Sequence, residues 1–346
     1  MESFGFGLCD DLKINIITAT SGDTGSAAVE AFKGISNVNL YVLYPHERIS
    51  QIQRKQMTTS NAKNVKVFAV QGTFDDCQSI VKELFADKAL VSDVNLSGVN
   101  SINWARILVQ IVYYFSAFYQ LNDRFEGKLS FSVPTGNFGD AYAGFIAKRM
   151  GLPINKIIVA TNTNDILDRV FKTGLYKSDG VSKTLSPSMD IQVASNFERL
   201  LFDLLNHDTK EVRRLMNNLS NKGHFNLEKI ILTRISKDFD SGAVTDNDTI
   251  ATINHFYKQR DIVLCPHSAI GVRVAKDFID TGETVVSLGT AHPAKFKETV
   301  ESALEVSIPI PPALEIIMEK QESVRVIPPN KHKVAEEIRQ SFLEEN

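Results

Sequence analysis

The sequence is poor in cysteine, has no large excess of either charge and has no long apolar segment, and each absence excludes a class of protein. The three cysteines, Cys9, Cys77 and Cys265, lie far apart, which predicts neither a disulfide framework nor a Cys-x-x-Cys zinc site. A formal net charge of −3 over 346 residues leaves no basic face for nucleic acid. Residues 107–122 form the longest uncharged run. A membrane-spanning helix needs about 20 mostly apolar residues, so we predict a buried helix there and no membrane partner.

Several common binding and catalytic motifs are also missing. The sequence contains no GxGxxG dinucleotide motif, no GxxxxGK[ST] phosphate loop and no GxSxG nucleophile motif. Its seven histidines are scattered without metal-binding spacing. The first residues include acids and no basic segment, so we expect no secretory signal and a cytoplasmic location.

The sequence does contain short β-branched runs that alternate with helical stretches. A strand is predicted over residues 65–70, and a capping box of Thr73 and Asp76 begins a predicted helix over residues 74–86. The same alternation returns late in the chain, where a strand is predicted over residues 262–264. Continuous apolar strands separated by helices are typical of an α/β fold whose parallel sheet is covered on both faces. The length indicates about two domains.

Two glycine turns stand at the ends of predicted strands and at the starts of predicted helices. We name them the SGDTG turn (residues 20–25) and the GNFGD turn (residues 134–140). Backbone N–H groups at a helix N-terminus attract anions, and the carboxyl ends of parallel strands are where such folds bind ligands. Neither turn contains a lysine, so a carboxylate or a single phosphate suits them better than a nucleotide. The alternative is an ordinary tight turn in which Ser21 or Asp23 caps the helix.

Two further segments have residue types that suit a ligand. Residues 288–296 follow an apolar strand, and the small residues there would let a flat ring approach the hydroxyl of Thr290. Residues 100–106 open the long apolar helix, and Asn103 and Arg106 share one face of it. The alternative for this second segment is a capped helix whose Arg106 pairs with a surface acid.

Six stretches of the chain, taken together and in order, resemble the threonine synthase family. That family consists of pyridoxal-phosphate enzymes of the tryptophan-synthase-β fold type, and the likeness is greatest to its longer, fungal-like branch. The resemblance extends from about residue 12 to about residue 300 and implies two doubly wound α/β domains of fold type II, with an N-terminal part missing. The stretches are TSGDTG, VNSINWARIL, VPTGNFGD, ATNTNDILDR, TLSPSMDI and LGTAHPAKF.

The resemblance implies a carbon–oxygen lyase that acts on a phosphate ester. It would convert O-phospho-L-homoserine and water to L-threonine and phosphate, with pyridoxal 5'-phosphate as the electron sink. Thr290 would bond the pyridine nitrogen, and Lys295 is a second candidate for the substrate phosphate. The other implied ligands are Gly136, Asn137, Phe138, Gly139 and Asp140 for the cofactor phosphate, Ser21, Gly22, Asp23 and Thr24 for the substrate carboxylate, and Ser101, Asn103 and Arg106 for the substrate phosphate.

The lysine that such enzymes need for a Schiff base with the cofactor has no counterpart in the sequence. In the family it lies in a Phe-Lys-Asp motif upstream of the strand that leads into the SGDTG turn. The only lysine before that turn is Lys13, which opens the strand itself and is too close to the turn. We therefore expect the lysine upstream of Met1, and a chain that is truncated and, as written, has no covalent anchor.

The expected organisation follows the same resemblance. A smaller domain over residues 1–122 would contain the SGDTG turn, and a larger domain over residues 123–346 would bind the cofactor and end in helices, the last over residues 331–344. The expected partner is the small molecule O-phosphohomoserine, and the protein would be a monomer or a weak homo-oligomer. Two alternatives remain at this point: a phospho-lyase that releases 2-ketobutyrate, and a non-catalytic homologue that binds pyridoxal phosphate or phosphate.

Overall fold

The computed structural model divides the chain into two compact units, each with a parallel sheet of its own. The first unit is Met1–Asn100 with Ile310–Asn346, and the second is Ser101–Pro309. The structure describes residues 13–100, 103–121, 124–125, 127–279 and 283–344, so Cys9 and Ser101 lie outside the described residues.

The first unit contains a five-stranded sheet in the order β11-β3-β2-β1-β4, and all of its strand pairs are parallel. The order reverses at β1, because the chain continues to β2 and β3 on one side and returns to β4 on the other. The elements of this unit are β1 (Ile14–Ala19), α1 (Asp23–Phe32), β2 (Val38–Pro45), α2 (Gln51–Thr58), β3 (Val65–Val70), α3 (Phe74–Ala86), α4 (Lys88–Asp93), β4 (Leu96–Gly98), α14 (Pro312–Met318), β11 (Arg325–Ile327) and α15 (Lys331–Glu344).

Alternate strand residues of this sheet enter two separate cores. Ile17 and Tyr41 face one core with α3 and α15, whereas Ile16 and Leu40 face another with α1 and α2. Both faces of the sheet are therefore covered by helices, as the continuous apolar strands predicted. The Thr73–Asp76 capping box is present at the start of α3, which has the predicted bounds.

The C-terminal segment returns to the first unit, which differs from the predicted division at residues 122 and 123. Strand β11 pairs with β3, and Val334 and Ile338 of α15 are completely buried in the core beside α3. The guanidinium of Arg54 in α2 also makes two hydrogen bonds to the carboxylate of Glu322, at 3.0 and 3.1 Å. These pairings are between residues far apart in sequence, so no local composition marks them.

The second unit contains a four-stranded parallel sheet in the order β10-β5-β6-β9, and a separate antiparallel pair, β7-β8. Here the order reverses at β5, which has β6 on one side and β10 on the other. The elements are α5 (Trp104–Leu121), β5 (Leu129–Pro134), α6 (Gly139–Arg149), β6 (Ile154–Thr161), α7 (Ile166–Thr173), β7 (Leu175–Lys177), a 3₁₀ turn (Pro187–Met189), α8 (Phe197–Leu204), α9 (Thr209–Lys222), β8 (His224–Asn226), α10 (Lys229–Asp238), β9 (Phe239–Ala243), α11 (Asp246–Arg260), α12 (Pro266–Ile279), β10 (Thr284–Ser287), a 3₁₀ turn (Pro293–Phe296) and α13 (Lys297–Leu304).

Two predictions for this unit are wrong. The run over residues 107–122 is helical in α5, but only Ile107, Ile111 and Tyr114 of that helix are buried, and Leu108 is 54% exposed. The prediction of a buried helix rested on apolar content alone. In the structure, one face of α5 packs against α6 and the opposite face is exposed. Residues 262–264 form no strand, because they are a short connection between α11 and α12.

The remaining sequence predictions concern cysteines and membrane spans. Cys77 and Cys265 are both buried free thiols, and burial raises the pKa of Cys77 to about 12. Across the part of the chain that the structure describes, no helix has the length and apolar character needed to cross a membrane.

Candidate functional site

The SGDTG turn lies where the strand order of the first sheet reverses, which is where open parallel sheets bind ligands. Its internal cap is Thr20, a buried residue directly after β1. The Thr20 hydroxyl accepts hydrogen bonds from the backbone N–H groups of Gly22 and Gly25, both at 2.9 Å. The alternative in which Ser21 or Asp23 caps α1 is therefore wrong, since Gly22 is the N-cap and Thr20 accepts the N–H of Gly25 in the first turn of that helix.

Gly22 has a backbone conformation that only glycine adopts readily. Its φ is 131°, and a Cβ atom there would lie 2.5–2.7 Å from the side-chain amide of Gln53. Gln53 lies in the first turn of α2 and forms a capping box with Ser50. The helix that follows β2 thus packs its first turn directly against the SGDTG turn.

The GNFGD turn occupies the same place in the second sheet, at the end of β5 where the strand order reverses. Here Thr135 has the equivalent role, because its hydroxyl accepts the N–H of Phe138 at 3.1 Å and donates to the carboxylate of Asp140. Phe138 is left-handed, with φ of 65°, and its ring is completely buried. It contacts the rings of Phe171, Phe197 and Phe239 edge-on or tilted, which anchors the turn in the core.

Helix α6 begins at Gly139, and no side chain caps it at Phe138. The N–H groups in the first turn of a helix have no partner within the helix. Of these, the N–H of Ala141 is satisfied by the Asp140 carboxylate at 2.9 Å. The turn therefore keeps backbone donors and the positive end of the helix dipole for an anion.

The loop after β7 packs against the GNFGD turn. A Cβ atom on Gly136 would lie 2.9 Å from the carbonyl oxygen of Ser188, so only glycine lets the two backbones approach so closely. The carbonyl of Asn137 accepts hydrogen bonds from the backbone and side chain of Asn196, and its side chain accepts one from Ser195 at 3.1 Å. These contacts hold the turn against the segment that leads into α8.

A buried polar network holds that loop in place. Asp190 accepts hydrogen bonds from the side chains of Asn162 (2.8 Å), Asn164 (3.0 Å) and Thr184 (2.6 Å). Desolvation is the largest influence on Asp190 and raises the pKa of its carboxyl group, while the hydrogen bonds from Thr184 and Asn162 lower that pKa. The ATNTNDILDR and TLSPSMDI stretches thus meet in one network, and their polar residues support the GNFGD turn.

Arg106 and Asn103 lie at the start of α5, which packs against α6. The side chain of Asn103 accepts the backbone N–H of Ala105 at 2.9 Å, so it caps this helix. The positive charge of Arg106 is close enough to Asp140 to lower the pKa of that carboxyl, although desolvation is stronger and raises it overall. The hydroxyl of Tyr114, two turns further along α5, donates to the Asp140 carbonyl at 2.6 Å. Arg106 therefore belongs to the surroundings of the GNFGD turn.

Thr290 lies beyond the end of β10, which pairs with β5, and both strands are parallel, so it is at the same sheet edge as the GNFGD turn. Its backbone N–H donates to the hydroxyl of Ser268 at 3.3 Å, and Thr290 is exposed. The nearby hydroxyl of Ser287 is buried and has no hydrogen-bond partner. Lys295 lies in the 3₁₀ turn at Pro293–Phe296.

Comparison with known proteins identifies the family. The model of the pyridoxal-phosphate dependent enzyme family matches residues 10–218, and that of the threonine synthase C-terminal family matches residues 268–338. The threonine synthase of Pseudomonas aeruginosa is 47% identical over 318 residues, which are 91% of this chain and 68% of that protein. The chain belongs to the threonine synthase family. The family and the fold class predicted from the motifs are thereby confirmed.

Other threonine synthases give the same result and define the extent of the match. The Saccharomyces cerevisiae protein is 48% identical over 312 residues, which cover 84% of this family member but 60% of the yeast chain. A crystal structure of threonine synthase with bound pyridoxal phosphate, from Brucella melitensis, superposes with a TM-score of 0.89 at 46% identity, covering 95% of this chain and 71% of that one. This chain therefore spans about two thirds of the length of the threonine synthases it matches.

Sequence reasoning missed several residues that build the site of this threonine synthase family member. Thr20 and Thr135 organise the two turns, although each was visible as a threonine directly after a β-branched strand. Gln53 and Asn196 gave no signal, since they come from distant segments. The structure leaves Ser101 outside the described residues, and the ligand roles of the other predicted residues stay predictions.

Proposed function

We propose that this chain is the greater part of a threonine synthase, which converts O-phospho-L-homoserine and water to L-threonine and phosphate. The observation that carries the proposal is the GNFGD turn, an uncapped helix N-terminus at the strand-order reversal of the second sheet. In this reaction the γ-phosphate leaves and the elements of water add, with the hydroxyl at the β carbon.

The residues of the GNFGD turn fit the phosphate of pyridoxal 5'-phosphate. A phosphate needs several N–H donors and no nearby anion in direct contact, and the carboxylate of Asp140 is already engaged by Thr135 and Ala141. The close approach at Gly136 leaves no side chain in the way. Gly136, Asn137, Phe138, Gly139 and Asp140 would hold the phosphate through the backbone. When bound, the cofactor supplies an electron sink for carbanions of the substrate.

Thr290 is proposed as the partner of the pyridine nitrogen. Its hydroxyl is neutral, so it can donate a hydrogen bond to the ring without stabilising a proton there, as a carboxylate would. Ser268 supports this residue by accepting its backbone N–H. The exposed position of Thr290 at the edge of the sheet leaves it accessible to a flat ring.

The substrate's two anionic ends are assigned to different residues. The SGDTG turn, with Ser21, Gly22, Asp23 and Thr24, would bind the α-carboxylate at the N-terminus of α1. Arg106 is the main candidate for the substrate phosphate because its planar guanidinium matches phosphate oxygens. Ser101, Asn103 and Lys295 are the further candidates, although the side chain of Asn103 already caps α5.

The covalent lysine is proposed to be encoded upstream of Met1. No Phe-Lys-Asp sequence occurs in the 346 residues, and the family residues that surround the cofactor are otherwise present in order. Sequencing the transcript on the 5' side of the Met1 codon tests this directly. An open frame encoding Phe-Lys-Asp supports the proposal, and an in-frame stop codon there contradicts it.

The activity is tested by product analysis of the purified full-length protein, including the residues encoded upstream of Met1, with pyridoxal phosphate and O-phosphohomoserine. Equimolar L-threonine and phosphate are expected. Release of 2-ketobutyrate and ammonia would instead show the phospho-lyase, and cofactor binding without turnover would show a non-catalytic homologue. We further propose that the protein acts in the cytoplasm as a monomer or weak homo-oligomer. A small molecule is proposed as its partner, and the near-neutral charge offers no basic face for nucleic acid.

A further inference from the structure

Gln53 has an unused donor beside the SGDTG turn. The residue is 1% exposed, and its side-chain Nε2 is buried without a hydrogen-bond partner. Leaving such a group unpaired costs free energy, so an orphaned donor in a folded protein calls for an explanation. Its surroundings supply one, because the amide lies directly against Gly22.

The capping box fixes which end of the amide is unpaired. The backbone N–H of Ser50 donates to Oε1 of Gln53 at 3.2 Å, and the backbone N–H of Gln53 donates to the Ser50 hydroxyl, also at 3.2 Å. Because Ser50 offers an N–H, the carbonyl oxygen of the amide must face it. The NH₂ group is therefore the end that remains without an acceptor next to the turn.

The turn itself has already used part of its donor capacity. Two of its N–H groups, those of Gly22 and Gly25, bond to Thr20 and are not available to a ligand. An additional positive dipole beside Gly22 would compensate for that loss, since a desolvated N–H acts on a nearby anion through a low dielectric. Helix α1 contributes its own N-terminal dipole to the same place.

We propose that Gln53 is a positioning residue of the carboxylate site, which supports Gly22 and adds the positive end of its amide to the field that holds the substrate α-carboxylate. The inference rests on the proposed function, because it takes the ligand of the turn to be a carboxylate. Gln53 acts through Gly22 and through space, and it has no part in the chemical step.

The substitution Gln53→Glu tests this with little other change. Glutamate at the same position of a capping box can still accept the N–H of Ser50, so α2 keeps its start. The variant replaces the NH₂ group by a negatively charged oxygen of the same size. Gln51→Glu is the matched control, because it adds the same charge at an exposed position of the same helix. Gln53→Met removes the amide without adding charge and serves if Gln53→Glu does not fold.

Binding is measured with two ligands, O-phosphohomoserine and 3-aminopropyl phosphate, which lacks only the carboxylate. We expect Gln53→Glu to weaken the first about tenfold or more, and Gln53→Met to weaken it less. Binding of 3-aminopropyl phosphate should stay within about twofold of wild type in all variants, and Gln51→Glu should match wild type with both ligands. In turnover of the full-length protein with its upstream residues, the loss should appear in KM with little change in kcat, as expected for a binding interaction alone.

Equal weakening of both ligands by Gln53→Glu would overturn the proposal, since that is the result of a merely structural role. No weakening of either ligand would overturn it as well, as would a wild-type protein with no preference for the carboxylate ligand. Failure of the proposed function is seen separately. A full-length wild-type protein that prefers O-phosphohomoserine but forms no threonine contradicts the reaction, and the two-ligand comparison still tests Gln53.

Discussion

The SGDTG and GNFGD turns occupy the same place in two different units but are built in different ways. Each follows a central strand, and each is organised by a buried threonine directly after that strand, Thr20 or Thr135. The first turn is made of small residues, and it depends on Gly22 and on the side chain of Gln53 beneath it. The second depends on one large side chain, Phe138, whose ring is completely buried among other aromatic rings.

The difference bears on what each turn can bind. In the first turn, Thr20 uses two backbone N–H groups, and the ligand must be held by the remaining donors and the dipole of α1. In the second, Thr135 accepts the N–H of Phe138 and the Asp140 carboxylate accepts that of Ala141, so this turn has also engaged two backbone donors. A turn that is fixed by a buried aromatic ring suits a phosphate that stays bound, and a turn of small residues suits a substrate carboxylate that enters and leaves.

The largest expected effect is on the anchor of the second turn. Phe138→Ala should destabilise the second unit by about 3–5 kcal/mol, because it empties a buried aromatic site. Urea unfolding followed by the fluorescence of Trp104, the single tryptophan, reports on this unit. Phe202→Ala is the control, since that ring is 37% exposed and should cost much less. Equal losses for the two variants would show that Phe138 does not anchor the turn.

The equivalent change in the first turn is Gly22→Ala. We expect a loss of about 2–4 kcal/mol, from the positive φ together with the overlap between a Cβ atom and Gln53. Gly34→Ala separates the two causes, because Gly34 also has a positive φ but has no atom within 4 Å of the added Cβ. That control should lose only about 1–2 kcal/mol in thermal unfolding followed by circular dichroism. A Gly22→Ala variant no less stable than the control would refute the close contact.

The two threonines allow a direct comparison of matched variants. Thr20→Val keeps the shape of the side chain but leaves the N–H groups of Gly22 and Gly25 without an acceptor, and should cost about 1–3 kcal/mol. Thr135→Val leaves only the N–H of Phe138 without an acceptor. The loss of stability that comes from unpaired backbone N–H groups should therefore be smaller in this variant. Chemical denaturation of both variants measures the difference. A Thr135→Val variant that is clearly the less stable would mean that its bond to Asp140 matters more than the backbone donors.

Local signals in the sequence were sufficient for the elements and for the family, but not for the construction of the site. The bounds of β3, α3 and α15 are those predicted, because an apolar run, a capping box and an amphipathic pattern are each encoded within a few residues. The return of the C-terminal segment to β3 and the open face of α5 depend on contacts between distant segments. Gln53 could not be found for the same reason, since its role exists only where α2 meets the SGDTG turn.

The smallest expected effect concerns the two aspartates of the turns, whose contributions should have opposite signs. Desolvation raises the pKa of Asp140 above its ordinary value near 3.9, despite the bonds from Thr135 and Ala141 that lower it. As the pH rises from the ordinary pKa of the unfolded chain towards the raised pKa of the folded protein, the unfolded chain loses the proton first. Wild-type stability therefore falls over this range of pH. Asp140→Asn removes this cost, and its stability relative to wild type should therefore increase with pH above about 4, by at most about 1.4 kcal/mol per pH unit.

Asp23→Asn provides the contrast, because Asp23 lies in the first turn of α1, where a negative charge favours the helix. That variant should be less stable than wild type at neutral pH by about 0.3–1 kcal/mol. Thermal unfolding of both variants across the acid range measures the two differences in one experiment. If Asp140→Asn instead loses stability steadily relative to wild type as the pH rises, the Asp140 carboxylate is stabilised in the folded protein. Its hydrogen bonds and the charge of Arg106 would then outweigh the desolvation. In that case the negative charge of the aspartate would stabilise the folded protein in both turns.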